Sequence, residues 1–293
     1  MMEIRPLKIA VIGGDDRAPE AARVLMERGA VCTFYALEQA GVCRSADALR
    51  CEEPYLLFEA LSNADAVLLP LPVSRDGQTV FSPLSAVRLP LPDLAAALPQ
   101  NCLVAGGRIP PILLERSSRS LDLLSDPAFS AANALPTAES AIALALLRHP
   151  GVLASSRCAV LGFGNIGSIL AQKLSALGAD VTVFARRPES RLAASSFSLS
   201  AFDFDALPAL LPSFDLLFNT VPAPIIDLPA ALSVSPDALY LELASPPFGL
   251  TPAARRALRC PCLDAPGLPG RYSPRFAGAL IADCLLSSLY QKE

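Results

Sequence analysis

Histidine is all but missing from this chain of 293 residues: His149 is the only one. It follows a helical segment and precedes Pro150-Gly151, which suits a helix C-terminal cap or a surface group better than a base. Charge is scarce as well. Charged residues make up 18%, and 24 Lys and Arg against 28 Asp and Glu leave a net charge of −4. With a pI near 5.2, the chain offers no broad basic surface for nucleic acid, so an anionic ligand must be held by local arginines. Long hydrophobic runs are lacking too: hydrophobic residues reach 52%, yet no apolar run attains the roughly 20 residues that span a membrane. The start, Met1-Met2-Glu3-Ile4-Arg5-Pro6, holds no hydrophobic leader, and a cytoplasmic protein without membrane attachment is expected. Eight cysteines are present but scattered, several of them, such as Cys32, Cys158 and Cys284, inside apolar segments. Cys260-Pro261-Cys262 is the one close pair, and without a second pair or a nearby histidine it makes a poor zinc site. Reduced, mostly buried thiols and no metal are expected.

What the chain does have is Gly162-Phe163-Gly164-Asn165-Ile166-Gly167, placed where an apolar strand over 158–161 turns directly into a helix over 166–177. The first glycine permits the tight turn, the second lets the backbone approach a pyrophosphate, and the third lets helix and strand pack closely. The free N–H groups of the helix start then face the anion. After Gly178 a second strand over 180–184 ends in Ala185-Arg186-Arg187. An acidic residue at that place would accept from a ribose 2′-hydroxyl, whereas two guanidiniums suit a 2′-phosphate. All nine residues are therefore candidate contacts for NADP.

The length favours two domains, divided at 134/135, with a linker helix over 137–148 and a C-terminal helix over 274–289 packing back on the first. The first opens with a strand over 7–12, Gly13-Gly14-Asp15, a helix over 19–28 and a strand over 31–35. The three-glycine spacing is missing there, so no second nucleotide site is expected. Further strands are predicted at 66–69, 102–105 and 121–124, and the proline-rich stretch 70–99 reads as a loop whose Arg75 is a candidate ligand contact. Thr137 reads as an N-cap and Glu139 as a first-turn carboxylate of a helix apolar nearly all round. The second domain continues with strands over 215–218, 238–243 and 262–264. Each leads into a loop on the edge of the sheet that carries the glycine turn: Asn219-Thr220-Val221-Pro222, Ala244-Ser245-Pro246-Pro247, and Ala265-Pro266-Gly267. Asn219, Thr220, Val221, Pro222, Ser245, Pro266 and Gly267 join the candidate cofactor contacts. The C-terminal helix shows an apolar stripe through Phe276, Leu280, Ile281 and Leu285. The fold class is α/β, two doubly wound parallel sheets, the second a Rossmann dinucleotide-binding domain.

Taken together, 133–139, 161–167, Pro266-Gly267-Leu268-Pro269-Gly270, Ile9 to Asp15 and Leu243-Ala244-Ser245-Pro246 resemble the A subunit of dipicolinate synthase, over nearly the whole length. The resemblance implies a role in dipicolinate biosynthesis during sporulation. A dihydropyridine-type dicarboxylate, formed by loss of water from 4-hydroxy-tetrahydrodipicolinate, would be oxidised with NADP. It also implies a companion, a flavoprotein-like B subunit; a homo-oligomer is expected. Asp15, Asn133, Thr137 and Gly270 join Arg75 as candidate substrate contacts, and Arg275 falls at a position basic in the family. The chain departs from the family pattern at Asn165-Ile166, where Arg-Thr is frequent, at Arg275-Phe276, where Lys-Thr is frequent, and at the loop 245–249, which is less glycine-rich. These departures bear on the shape of the substrate pocket.

The residues agree with that reaction in one respect. Oxidation of a secondary alcohol commonly uses a poised base, often histidine, and none is well placed here. Aromatisation of a dihydropyridine is strongly downhill, so orienting the substrate and excluding water can suffice. Glu139 is the candidate for the remaining proton, and Arg75, Arg271 and Arg275 for the ring carboxylates. The rivals are a D-2-hydroxy acid or alanine dehydrogenase, against which the absent histidine argues, and a non-catalytic NADP-binding subunit of a complex.

Overall fold

The computed structural model describes residues 5–40, 49–51 and 54–290. The start at residues 1–4 and the thiols of Cys43 and Cys51 lie outside the described residues and side chains. The chain divides into two compact units: Met1–Asn133 with Pro269–Glu293, and Ala134–Leu268.

The first unit runs β1 (Lys8–Ile12), α1 (Arg17–Glu27), β2 (Val31–Tyr35), β3 (Leu49–Cys51), α2 (Pro54–Leu61), β4 (Ala66–Leu68), α3 (Leu91–Ala97), β5 (Leu103–Gly106), α4 (Pro111–Leu114) and β6 (Arg119–Asp122). Its strands form one parallel sheet in the order β3-β2-β1-β4-β5-β6. Strand β1 is apolar and buried from Ile9 to Ile12 because both faces of a parallel sheet are covered. Ile9 and Val11 pack with Ala21 and Leu25 of α1, and Ala10 and Ile12 with Leu57 and Leu94 on the opposite face.

Helix α5 (Pro127–Arg148) leads to β7 (Arg157–Leu161), α6 (Asn165–Ala176), β8 (Asp180–Phe184), α7 (Pro188–Ser196), β9 (Ser200–Phe202), α8 (Leu207–Leu210) and β10 (Leu216–Asn219). There follow α9 (Leu228–Ser233), β11 (Leu239–Glu242), α10 (Pro252–Ala257), β12 (Cys262–Asp264), α11 (Leu268–Tyr272) and α12 (Pro274–Tyr290). The second sheet is also parallel, in the order β12-β11-β10-β7-β8-β9. Counted from its own first strand, each sheet reads 3-2-1-4-5-6, the doubly wound order whose ligand crevice opens beyond the strand C-termini where the winding reverses. That point lies between β1 and β4 in the first unit and between β7 and β10 in the second.

Several expectations need correction. The stretch read as loop over 70–99 contains α3, which starts after Pro90 with Pro92 in its first turn, a position where proline costs no helix bond. The strands β3 and β9 and the helix α2 were not foreseen. Helix α5 starts ten residues before Thr137 and continues through Pro136. Thr137 is therefore a buried mid-helix residue and no N-cap, and Glu139 has left the first turn. Of the apolar residues of this helix, Leu146 and Leu147 are exposed. Phe276 is also exposed, outside the stripe assigned to it, whereas Ile281, Leu285, Leu286 and Leu289 of α12 are buried with Ala18, Ala21 and Leu25 of α1.

Candidate active site

In the second unit β7 ends at Leu161, and Gly162 takes φ +99°, a conformation that L side chains rarely adopt. A Cβ there would lie 2.5 Å from Thr220 Oγ1 and 2.9 Å from Val221 Cγ2, so the turn and the loop after β10 share one tight space. A Cβ on Gly167 would collide with the Gly162 carbonyl oxygen, which is the close strand-to-helix packing that the third glycine serves. Gly164 differs from both: it is exposed, and its Cβ would meet nothing, so backbone is open to a ligand. It is the N-cap residue of α6, and no side chain caps that helix. The N–H groups of the first turn, which no helix satisfies internally, are thus available to an anion. Phe163 and Ile166 fill the core beneath, and Asn165 is exposed.

At the end of the neighbouring strand β8, Ala185 is buried while Arg186 and Arg187 are exposed. No carboxylate among the described residues pairs with either arginine. The segment is held instead by Arg191, whose Nη1 donates to the carbonyls of Ala185 and Arg186, both at 2.8 Å, and pairs with Asp203 at 2.5 Å. The charge of Arg191 is thereby balanced.

A residue that the sequence reading missed organises the opposite side of the turn. Glu242, last in β11, is 1% exposed. Its Oε1 accepts from Asn219 Nδ2 at 2.6 Å and the Ala244 N–H at 3.2 Å, and its Oε2 from the Gly249 N–H at 2.9 Å and the Tyr240 hydroxyl at 3.1 Å. Asn219 also donates to the Val221 carbonyl at 3.0 Å and accepts from its N–H at 3.1 Å, and Thr220 Oγ1 donates to the Leu161 carbonyl at 2.8 Å. The Asn219 amide is consumed in this network, whereas Val221 is half-buried and Pro222 and Ser245 are exposed. Burial, and then the charge of Glu242, push the Tyr240 phenol above its usual range. In sequence Glu242 looks like a strand-end carboxylate, with no spacing signal to mark it. Gly267, after β12, takes φ +67° beside exposed Pro266.

The first unit has the same crevice, but filled. Asp15 stands at the start of α1, where its Oδ1 accepts from the Arg17 N–H at 3.3 Å, and its two oxygens pair with the Arg17 guanidinium at 2.8 Å each. Arg17, 6% exposed, also donates to the Leu71 carbonyl at 2.5 Å. The Gly14 N–H is taken by the Phe81 carbonyl at 2.8 Å. The chain's own carboxylate thus stands beside the start of α1, held there chiefly by the Arg17 guanidinium. Gly270 lies against this pair, since a Cβ on it would be 2.7 Å from Asp15 Oδ2. Arg75, on the loop after β4, reaches solvent, yet its guanidinium stacks 3.6 Å over the Phe81 ring. The lost hydration lowers its pKa, against the attraction of Asp15. No carboxylate among the described residues pairs with it. It borders an open cavity of about 350 Å³ with Thr79, Phe81, Ser82 and Arg88. Asp15, Arg75 and Gly270 are therefore brought together, with Arg17 as an unforeseen fourth member.

The remaining candidates fall elsewhere. Asn133 and Thr137 lie four residues apart on α5, hence on one face of it. Glu139 forms an exposed ion pair with Lys173 at 2.9 Å. Lys173 lies eight residues beyond Asn165, about 12 Å along α6 from the turn. Arg275 is 85% exposed and 3.8 Å from Glu20. Arg271 is exposed near the Tyr272 ring. His149 bonds Ser156 Oγ at 3.1 Å. Ser156 precedes β7 whereas the glycine turn follows it, so the histidine lies at the other edge of the sheet. Cys32, Cys102, Cys158 and Cys260 are buried free thiols, and Cys262 and Cys284 are half-buried ones. Among the described residues no helix is long and apolar enough to cross a membrane, and no group of His, Cys, Asp or Glu could hold a metal ion.

Residues 8–121 match the family model for the N-terminal domain of the dipicolinate synthase A subunit. Residues 146–224 match that for the NAD-binding domain of D-isomer-specific 2-hydroxyacid dehydrogenases. A nicotinamide dinucleotide is thus the cofactor class of the second unit. The chain is 30% identical to the dipicolinate synthase A subunit of Bacillus subtilis (strain 168) over 284 residues, 95% of this chain and 94% of that protein. A crystal structure of the dipicolinate synthase A chain from Bacillus subtilis superposes with a TM-score of 0.83 at 28% identity, covering 99% of each chain. The crystal structure of the Bacillus halodurans A subunit superposes with a TM-score of 0.86 at 24% identity, covering 97% of this chain and 98% of that one.

Proposed function

We propose, from the premise that this chain belongs to the family of dipicolinate synthase A subunits, that it oxidises a dihydropyridine-type dicarboxylate to dipicolinate with NADP. The substrate would arise from 4-hydroxy-tetrahydrodipicolinate by loss of water. The observation that carries the dehydrogenase reading is the contrast between two equivalent crevices. The first carries the paired side chains of Asp15 and Arg17 at its helix start, and the second carries a glycine turn with no side chain over it.

When bound, the nicotinamide supplies the hydride acceptor. The turn 162–167 would hold the pyrophosphate through N–H groups, and Arg186 and Arg187 would hold the 2′-phosphate. Thr220, Val221, Pro222, Ser245, Pro266 and Gly267, on loops of the same sheet edge, would flank the cofactor. In the first unit Arg75 takes a ring carboxylate by charge-assisted hydrogen bonds, beside the Phe81 face, which suits a flat ring. Arg17 holds Asp15 in place, and Gly270 leaves room beside it. Because aromatisation is downhill, the proton released can pass to water, and no histidine is required. Glu139 and Arg275, spent on exposed ion pairs, carry no step in this reading. A B subunit is the proposed partner, in a complex that contains more than one copy of this chain.

The test is to incubate the purified chain with enzymatically prepared 4-hydroxy-tetrahydrodipicolinate and NADP, with and without a B subunit, and to follow NADPH absorbance and dipicolinate. NADPH should form from that precursor and not from lactate or alanine. Turnover of either of the latter alone would contradict the reading. NADPH formed only when the B subunit is present would reduce this chain to a binding subunit.

A further inference from the structure

Glu242 is a buried carboxylate for which the reaction above has no use. Its two oxygens accept four donors, the full complement of an ionised carboxylate. No cation pairs with it among the described residues: Arg255, the nearby guanidinium that feels its charge, forms its own bridge to Asp264. A buried charge without a counter-ion is costly. Stitching the loops after β10 and β11 could have been done by neutral groups.

Its position gives the charge a use. Glu242 lies in register with Asn219, and Asn219 with Leu161, the residue before the glycine turn. At about 4.8 Å per strand, Glu242 stands roughly 10 Å across the sheet from the turn, at the same level. The adenosine half of a dinucleotide seated on the turn goes toward β8 and its arginines. The nicotinamide half would then extend toward β10 and β11, the side on which Glu242 stands.

Resting on the cofactor reading above, we infer that Glu242 sets the redox preference of the site by favouring the cationic, oxidised nicotinamide over the neutral, reduced one. A unit charge about 10 Å away at an effective dielectric near 20 corresponds to a preference of roughly five- to twentyfold. Glu242 touches no reacting atom in this account. It acts through its field, and its hydrogen bonds hold the loops that carry the field's target.

The test is equilibrium titration of NADP+ and of NADPH, each against the unmodified chain and against Glu242→Gln. The unmodified chain should bind the oxidised form at least about fivefold more tightly, and this measurement stands even if the variant fails to fold. Glu242→Gln places an amide before several donors and should weaken both forms, but the oxidised one more, bringing the ratio toward one. Equal or tighter NADPH binding by the unmodified chain overturns the inference. So does a variant that loses both forms in equal proportion, which is the signature of a loop-holding role alone. If neither nucleotide binds the unmodified chain, the cofactor reading itself fails.

Discussion

Arg17 holds the first unit's crevice together by satisfying three acceptors at once, both oxygens of Asp15 and the Leu71 carbonyl. Arg17→Met keeps much of the aliphatic volume but leaves the Asp15 carboxylate without its counter-ion. Breaking a buried pair from one side costs about 3–5 kcal/mol, and because the Asp15 side chain keeps 19% exposure the expected loss is about 2–4 kcal/mol. Urea titration should show the drop in midpoint, and an unchanged midpoint would contradict this assignment. At this scale the sequence was legible where spacing carries meaning. The glycines at 162, 164 and 167 and the arginine pair at 186–187 are read from their separation along the chain. It was illegible where a role is made by contacts distant in sequence. Asp15 was a candidate, but its closeness to Gly270 and the bond of Arg17 to the Leu71 carbonyl, 54 residues away, could not be inferred. Glu242, which binds groups up to 23 residues away, left no local trace.

Among the elements, α5 shows a local rule yielding to context. Asn133 to Glu139 has the look of a helix start, with Pro136 just before a threonine, yet the helix begins at Pro127 and passes through the proline. Proline at 136 forfeits one backbone bond, and Ser140 Oγ bonds the Pro136 carbonyl at 2.6 Å. The apolar helix residues Ala138, Ala141, Ile142 and Ala145 are buried in the second unit's core, burial that outweighs the lost bond. Strands buried on both faces were legible as short apolar runs, whereas β3 and β9, three residues each at sheet edges, carry too little pattern to be seen.

Helix α12 offers a test whose sign is decided by magnitude. Replacing a mid-helix glycine by alanine ordinarily gains about 1 kcal/mol. At Gly278, however, a Cβ would lie 2.6 Å from Glu20 Cβ and 2.7 Å from the Ala21 nitrogen, and backbone cannot step aside as a side-chain end can. Overpacking costs about 1–3 kcal/mol, so Gly278→Ala should be net destabilising in thermal or urea unfolding. A stabilised variant would mean that α1 and α12 are not so closely packed.

At the scale of the whole molecule, buried thiols link stability to pH. Burial pushes Cys32 and Cys158 up to about 12 and Cys102 to about 11. Above the ordinary thiol value of 9.0 an unfolded chain sheds these protons while the folded one keeps them. The unfolded state then binds fewer protons, and stability falls as pH rises. The loss should begin near pH 9 and continue to about 12, at up to about 1.4 kcal/mol per pH unit for each thiol. Urea midpoints at about pH 8 and about pH 10.5 should differ in that direction, and equal midpoints would contradict it.

Two sheets of the same winding order have been put to different ends. One carries the Asp15–Arg17 pair at its helix start, and the other leaves a helix start open beside two arginines that pair with no carboxylate among the described residues. The function proposed above requires this second crevice to hold NADP. Calorimetric titration of NADP and NAD against the unmodified chain tests it most directly. A 2′-phosphate gains one or two charge-assisted contacts, while the one carboxylate shown at the end of β8, Asp203, is engaged by Arg191, so NADP should bind about tenfold more tightly. The exposure of both guanidiniums keeps the factor from being larger. Arg186→Ala and Arg187→Ala should each shrink the gap, as should added salt. Equal or tighter binding of NAD by the unmodified chain would contradict the account.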